Sequence, residues 1–154
     1  MVRVPGDKSI SHRALILAAL ADGDSRVDGL LDSADVRSTA GALRAMGVAI
    51  DASARDGVVV AGRGPTALRQ PPGPCDCGNS GTTTRLLAGV AAARPYETTF
   101  VGDASLSVRP MRRVAEPLSA MGAQVGLSGS GTQFERQGHS PCGSPQGAFT
   151  ALTH

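Results

Sequence analysis

Tryptophan is absent from this chain, and aromatic residues of every kind make up 3% of it. Binders of single-stranded nucleic acid stack bases on such rings, so that class is set aside. An excess of one charge is also lacking. Fifteen Lys and Arg against 13 Asp and Glu leave a net +2, too small to point to a polyanion or an acidic membrane. The balance reads as plain solubility. Cysteine is scarce and odd in number, at Cys75, Cys77 and Cys142. The Cys75-Asp76-Cys77 spacing matches neither a disulfide framework nor a zinc-type pair. The three read as free thiols of a reducing compartment, so a cytoplasmic location is expected. No apolar run is long enough to span a bilayer, 14–21 being the most prominent. The basic start gives way to a polar turn and does not read as a signal peptide. Neither a nucleic acid nor a membrane is expected as partner.

What the 154 residues do contain is 41% hydrophobics, 20 Gly and 10 Pro, enough for one ordinary core with frequent turns. The stretch Pro5-Gly6-Asp7-Lys8-Ser9-Ile10-Ser11-His12-Arg13 runs straight into the apolar residues 14–21. Gly6 suits a tight turn, and Ser9 or Ser11 can cap a helix. A helix beginning there turns free N–H groups and a positive dipole end outward, which favours an anion such as phosphate. Ser9 and Arg13 are four apart and share a helix face, with the Lys8 ammonium beside them. The bland alternative is a capped helix start with a solvated Lys and Arg.

Val2-Arg3-Val4 alternates and reads as a short strand. Residues 11–21, apolar nearly all round, predict a helix buried on most sides, stopped by Asp22-Gly23-Asp24. A strand is expected at Arg26-Val27. Asp32-Ser33-Ala34-Asp35 supplies caps to a helix carrying Val36, Ala40, Leu43 and Met46, with Gly47 just past its end. For Asp32 and Asp35, capping competes evenly with an active-site role. Strands follow at 48–50 and 57–61, with a turn at 62–65. Gln70-Pro71-Pro72-Gly73-Pro74 is the strongest breaker, and after it the pattern begins again. Cys77-Gly78-Asn79-Ser80-Gly81-Thr82-Thr83-Thr84-Arg85 leads into apolar 86–93. A strand is expected at 98–102. A helical stripe of Met111, Val114, Ala115, Leu118 and Met121 comes next, which Pro117 should kink. A strand at 123–125 closes the pattern.

The register supports an internal repeat. Gly6 to Gly78 and Arg13 to Arg85 are both 72 positions, and Ala45-Met46-Gly47 recurs as Ala120-Met121-Gly122 after 75. Two repeat units are expected, 1–70 and 71–127. Residues 128–154, rich in Gly, Ser, Pro, Gln and His, carry no periodicity and read as an irregular tail.

Gly78-Asn79-Ser80-Gly81-Thr82 lets backbone N–H groups approach a small anion closely, though no Gly-Lys-Ser/Thr closes it as in a Walker loop. Arg109 precedes Pro110 and must sit off-helix at a helix entrance. There its guanidinium can hold a carboxylate or phosphate bidentately. Arg112 and Arg113 read as a solvated helix face.

Pro5–Arg13, then Leu31-Asp32-Ser33-Ala34-Asp35, then Gly78-Asn79-Ser80-Gly81-Thr82 with Arg85, then Arg109-Pro110-Met111, resemble in that order the bacterial 5-enolpyruvylshikimate-3-phosphate synthase family. The likeness covers about residues 2–127. The related UDP-N-acetylglucosamine enolpyruvyl transferases have Lys-Asn where this chain has Lys8-Ser9. The resemblance implies a 3-phosphoshikimate 1-carboxyvinyltransferase of the shikimate pathway, which serves aromatic amino-acid biosynthesis. In it the 5-hydroxyl of shikimate 3-phosphate attacks C2 of phosphoenolpyruvate, and a tetrahedral intermediate then loses phosphate. No metal or organic cofactor is implied. By matching positions Lys8 would be catalytic. Lys8, Ser9 and Arg13 would hold shikimate 3-phosphate, and Lys8, Asn79, Gly81 and Arg109 would hold phosphoenolpyruvate or the inhibitor glyphosate. The implied fold is α/β, built from repeated βαβαββ units with buried helices and outer sheets.

The chain departs from that pattern in being much shorter. The third repeat unit and the second domain, with the family's acid–base groups, have no counterpart. Thr84 stands where Met is common, and 132–154 match nothing. The expectation is an N-terminal fragment with about half an active site. Such a piece would self-associate or need a complementing second-domain chain. The rival readings are a non-enzymatic anion-binding fragment and an RNA 3′-phosphate cyclase-like protein, the latter disfavoured by the stretch from Lys8 to Arg13.

Overall fold

The computed structural model describes residues 6–52, 57–127 and the backbone of 148–151. The chain forms two compact units, Met1–Pro72 and Gly73–His154, so the break falls inside the Pro-rich stretch. The expected strand at 2–4 lies outside the described residues.

In the first unit α1 spans Lys8–Leu20. It starts earlier than expected because Asp7, not Ser9 or Ser11, caps it. The Asp7 carboxylate accepts from the Ile10 N–H at 2.9 Å. Ser11 is otherwise engaged: its hydroxyl donates to the Asp7 carbonyl at 2.8 Å and accepts from the Leu31 N–H at 3.0 Å. β1 (Asp22–Asp28) follows at once. Asp22-Gly23-Asp24 therefore ends the helix but also opens a strand, earlier than expected. α2 (Ala34–Ala45) is capped by the Ser33 hydroxyl, and Gly47 takes φ +89° just beyond it. β2 (Ala49–Asp51) and β3 (Gly57–Arg63) complete the unit. The sheet order is β1-β3-β2, with both pairs antiparallel. A single 3-10 turn, Pro65–Ala67, follows β3.

The core of this unit joins Leu15, Ile16 and Ala19 of α1 to Val36, Leu43 and Met46 at α2 and to Val60 of β3. Helix α1 packs on β3, β1 and α2. Over residues 11–21 it is buried on most sides, as expected, with only Arg13 and Leu17 exposed. Ile10, before that stretch, is 68% exposed and Leu17 66%.

In the second unit β4 (Cys75–Asp76) leads into α3 (Gly81–Ala92), β5 (Thr98–Val101), a one-turn α4 (Ala104–Ser107), α5 (Arg112–Ala120) and β6 (Gln124–Leu127). α5 continues through Pro117, which has no N–H to give the helix ladder. Its stripe is shorter than expected. Ala115 and Leu118 are buried, while Met121, past the helix end, is 74% exposed. Within the expected irregular tail the structure places a strand, β7 (Ala148–Ala151), four residues being too short for a period to show. The order is β4-β5-β7-β6, all parallel. The core gathers Leu87, Ala88 and Ala91 of α3 around Phe100, Cys75, Cys77 and Leu106.

Two glycines separate close packing from open space. A Cβ on Gly62 would lie 2.3 Å from the Ala21 carbonyl oxygen and 2.5 Å from that of Ala18, where the end of α1 meets β3. Gly41, on the exposed side of α2, has nothing within 4 Å of such a Cβ. Gly62→Ala is expected to lower stability by about 1–3 kcal/mol, the cost of overpacking. Gly41→Ala should raise it by about 0.5–1 kcal/mol through helix propensity. Urea midpoints at unchanged slope measure both, and equal midpoints would refute the contrast.

Cys75 and Cys77 are free and buried. Loss of hydration pushes the Cys75 thiol up to about 11. Cys77 goes up to about 12, again chiefly by burial. Both folded-state values exceed the ordinary 9.0. The thiols therefore favour the fold below pH 9, and that contribution is lost as pH rises toward 11–12. In a Cys142→Ser variant, iodoacetamide at pH 8 should spare both thiols in the native chain and label both in urea. Equal labelling in the two states would contradict their burial.

Candidate functional site

In the first unit Gly6 brings the chain against the segment before α2. A Cβ there would stand 2.1 Å from the Gly29 carbonyl oxygen, so the position admits glycine alone. Asp7 then starts α1, and Lys8 and Ser9 fall in its first turn, both exposed. Arg13 lies one turn on and donates from Nη1 to the Ser9 carbonyl at 3.1 Å. The three residues expected to hold a phosphate ester thus lie together on α1.

Lys8 is the single lysine among 154 residues that include 14 arginines. Its Nζ donates to Asp35 Oδ2 at 2.6 Å, with side chains 51% and 25% exposed. The two aspartates before and in α2 therefore differ. Neither caps the helix, since Ser33 does. Asp32 pairs with Arg37 on the surface, whereas Asp35 faces the ammonium of Lys8. A half-exposed pair of this kind stabilises by ~0–1 kcal/mol, so its larger effect is to orient the ammonium. Beneath it His12 is fully buried, its Nδ1 2.7 Å from Thr39 Oγ1. Burial lowers the imidazole's affinity for a proton. Asp35 opposes that effect, while Lys8 and Arg13 reinforce it.

In the second unit Asp76 Oδ1 accepts from the Gly78 N–H at 2.7 Å, and Gly78 takes φ +53°. The Ser80 hydroxyl caps α3, accepting from the Thr83 N–H at 3.1 Å. Gly81 is then the first helical residue. Asp103 caps α4 through Leu106 N–H at 2.8 Å and anchors its own N–H on the Gly78 carbonyl at 3.0 Å. That bond draws the 103–109 segment to the start of α3. Arg109 sits off-helix, between α4 and α5, and its Nη2 donates to Asn79 Oδ1.

A Cβ on Gly81 would be 3.1 Å from Arg85 Nη1 and 3.2 Å from Arg109 Nη1. Asn79, Gly81 and Arg109, expected together, are together, and Arg85 joins them. Arg85 belongs to the Gly78–Arg85 motif, and the family resemblance gives it no site role. Its i+4 spacing from Gly81 was the available signal. The arrangement presents two guanidinium groups, one amide and the positive end of α3 around a glycine without a side chain, a concentration of donors suited to a small dianion. Among the described residues, no cluster of three or more His, Cys, Asp and Glu could hold a metal ion, and no helix is long and apolar enough to cross a membrane.

The family model described as EPSP synthase (3-phosphoshikimate 1-carboxyvinyltransferase) matches residues 1–140. The match runs past 127 and into the 132–154 segment, where the sequence motifs show no likeness. A 3-phosphoshikimate 1-carboxyvinyltransferase of Halorhodospira halophila is 55% identical over 130 residues, 84% of this chain and 29% of the relative. One from Xanthomonas campestris pv. campestris is 53% identical over 129 residues, 84% of this chain and 30% of the relative. The solved EPSP synthase of Acinetobacter baumannii superposes with a TM-score of 0.80 at 43% identity, again over 84% of this chain and 29% of that one. The chain therefore spans about three tenths of the length of the curated relatives it matches. With its family match covering most of its residues and its α/β fold shared with a solved member, this chain belongs to the EPSP synthase family.

Proposed function

We propose that this chain contributes the substrate-gripping part of an enolpyruvyl transferase. In such an enzyme the 5-hydroxyl oxygen of shikimate 3-phosphate attacks C2 of phosphoenolpyruvate, and residues of this chain would hold part of each. A proton is added at C3 of phosphoenolpyruvate. The tetrahedral adduct then loses a C3 proton as its C2–O bond to phosphate breaks, releasing phosphate and leaving the enolpyruvyl ether. In this reading Lys8, Ser9 and Arg13 bind shikimate 3-phosphate, and Lys8 also reaches phosphoenolpyruvate. Asn79, Gly81 and Arg109 bind phosphoenolpyruvate, and would accept glyphosate in its place.

The observation that carries the reading is the convergence of Asn79, Arg85 and Arg109 on Gly81 at the start of α3. Preorganised cations of this kind act on the charge of the phosphate leaving group. We also read residues 1–70 and 71–127 as copies of one βαβαββ repeat. In support, β3 lies between β1 and β2, and β7 (Ala148–Ala151), beyond the expected end at 127, lies between β5 and β6. Their sense differs, since β3 is antiparallel to its neighbours and β7 parallel. A cytoplasmic setting suits the free thiols of Cys75 and Cys77.

NMR titration of the 154-residue polypeptide with shikimate 3-phosphate tests the reading. Shifts are expected to centre on residues 8–13 with a dissociation constant of about a millimolar. One charge-assisted contact contributes roughly 1.5–3 kcal/mol, so Lys8→Ala should weaken binding about tenfold or more. No shifts at saturating ligand, or full binding by Lys8→Ala, would overturn it. By itself the polypeptide is expected to release no phosphate above background, because positioned acid–base groups alone are worth ~10²–10⁴-fold. Turnover that Lys8→Ala abolishes would show instead that these residues suffice.

A further inference from the structure

We infer that His12 and Thr39 are positioning residues for Lys8: their buried hydrogen bond sets the register of α2 against α1 and so places Asp35 at the Lys8 ammonium. The inference rests on the anion-binding reading of Lys8 given above.

Side-chain bonds cross between these helices. Lys8 reaches Asp35 and His12 reaches Thr39, each across 27 positions. Lys8 and His12 are four apart on α1, and Asp35 and Thr39 are four apart on α2. The bonds are therefore two rungs one helical turn apart. A slip of one turn, 5.4 Å, would break both together.

The rungs differ in strength. The outer one is half in water, where an ion pair is a weak restraint screened by salt. The inner one joins two side chains with no exposed surface. A hydrogen bond there is strengthened by the low dielectric, and breaking it leaves a polar group dry and unpaired. The inner rung therefore fixes the register, and the outer one follows.

The choice of histidine points the same way. Among the described residues its buried Nε2 finds no partner, a cost that a leucine of similar size would not carry. Packing alone does not explain the ring; the bond through Nδ1 does. The ring stays uncharged, since burial disfavours its protonation, so it does not repel Lys8. The charged groups that act on it are Lys8 and Arg13 of its own helix and Asp35 of α2.

Asp35 takes one of the three ammonium protons of Lys8 and leaves two for a ligand. A long lysine stem loses much rotamer freedom when it is fixed. Asp35 imposes that order before the ligand arrives, which favours binding.

Because Lys8 is the one lysine, a chain grown on ¹³C-lysine shows a single lysine side chain by NMR. Held against Asp35, its two Hε protons should have distinct shifts. In Thr39→Val, which keeps volume and charge but loses the rung, the two should merge. Thr39→Ser should keep them apart. With shikimate 3-phosphate, Thr39→Val should weaken binding about three- to tenfold and Thr39→Ser should restore it. In an Asp35→Asn background Thr39→Val should cost nothing further.

Distinct Hε shifts retained in folded Thr39→Val, or an additive loss in the Asp35→Asn background, would overturn the inference. If Thr39→Val does not fold, His12→Leu makes the same comparison. Lack of binding by the parent chain, or indifference to Lys8→Ala, strikes the functional reading instead. The ligand-free Lys8 signal still decides the positioning.

Discussion

A helix starts where its first N–H groups find acceptors, and among the described residues the side chains of Asp7, Ser33, Ser80 and Asp103 supply them. Several candidate residues are placed by these caps. Lys8 and Ser9 fall in the first turn after Asp7, and Asp35 in the first turn after Ser33. Gly81 opens the helix that Ser80 caps. Arg109 follows the single turn that Asp103 starts. The chemistry of the caps also separates the two units. Asp7 sets a carboxylate at the positive end of α1, so attraction for an anion there depends on the side-chain charges of Lys8 and Arg13. Ser80 is neutral and leaves the dipole of α3 uncompensated, and Arg85 and Arg109 add to it.

Much of the fold was legible because periods of 3.6 and 2 reflect which face is buried. α2 carries its core residues at helical spacing and ends at a glycine with positive φ, as its sequence indicates. The start of α1 was not legible. Asp, Ser and their neighbours are nearly equal as caps, and the decision lies with Ser11, whose hydroxyl is committed to Leu31 twenty positions away. α4 and β7 are too short to show a period. The exposure of Ile10, Leu17 and Met121 has a different origin. An apolar residue can be read from sequence, but what covers it depends on the elements packed nearby.

The candidate site shows the same division. Lys8, Ser9 and Arg13 are close in sequence and lie on one helix, so their grouping follows from local geometry. Asn79 and Arg109 meet across thirty positions through the bond from the Asp103 N–H to the Gly78 carbonyl, and their grouping came from family resemblance. Arg85 could have been found from its spacing. Asp35 could not be separated from Asp32, because the difference is a cross-helix contact that one makes and the other does not. His12 and Thr39 are farther still from view, since nothing in the sequence sets the register of α1 on α2.

We propose that this chain holds substrates of an enolpyruvyl transferase through Lys8 and Arg109. The most direct measurement is phosphate release by a chimera. Residues 1–127 of this chain would replace the matching part of the Halorhodospira halophila relative, to which it is 55% identical over 130 residues. The chimera should turn over shikimate 3-phosphate and phosphoenolpyruvate, and Lys8→Ala and Arg109→Ala should each cut kcat/KM by about tenfold or more. A folded chimera without turnover, or turnover indifferent to both substitutions, would contradict the proposal.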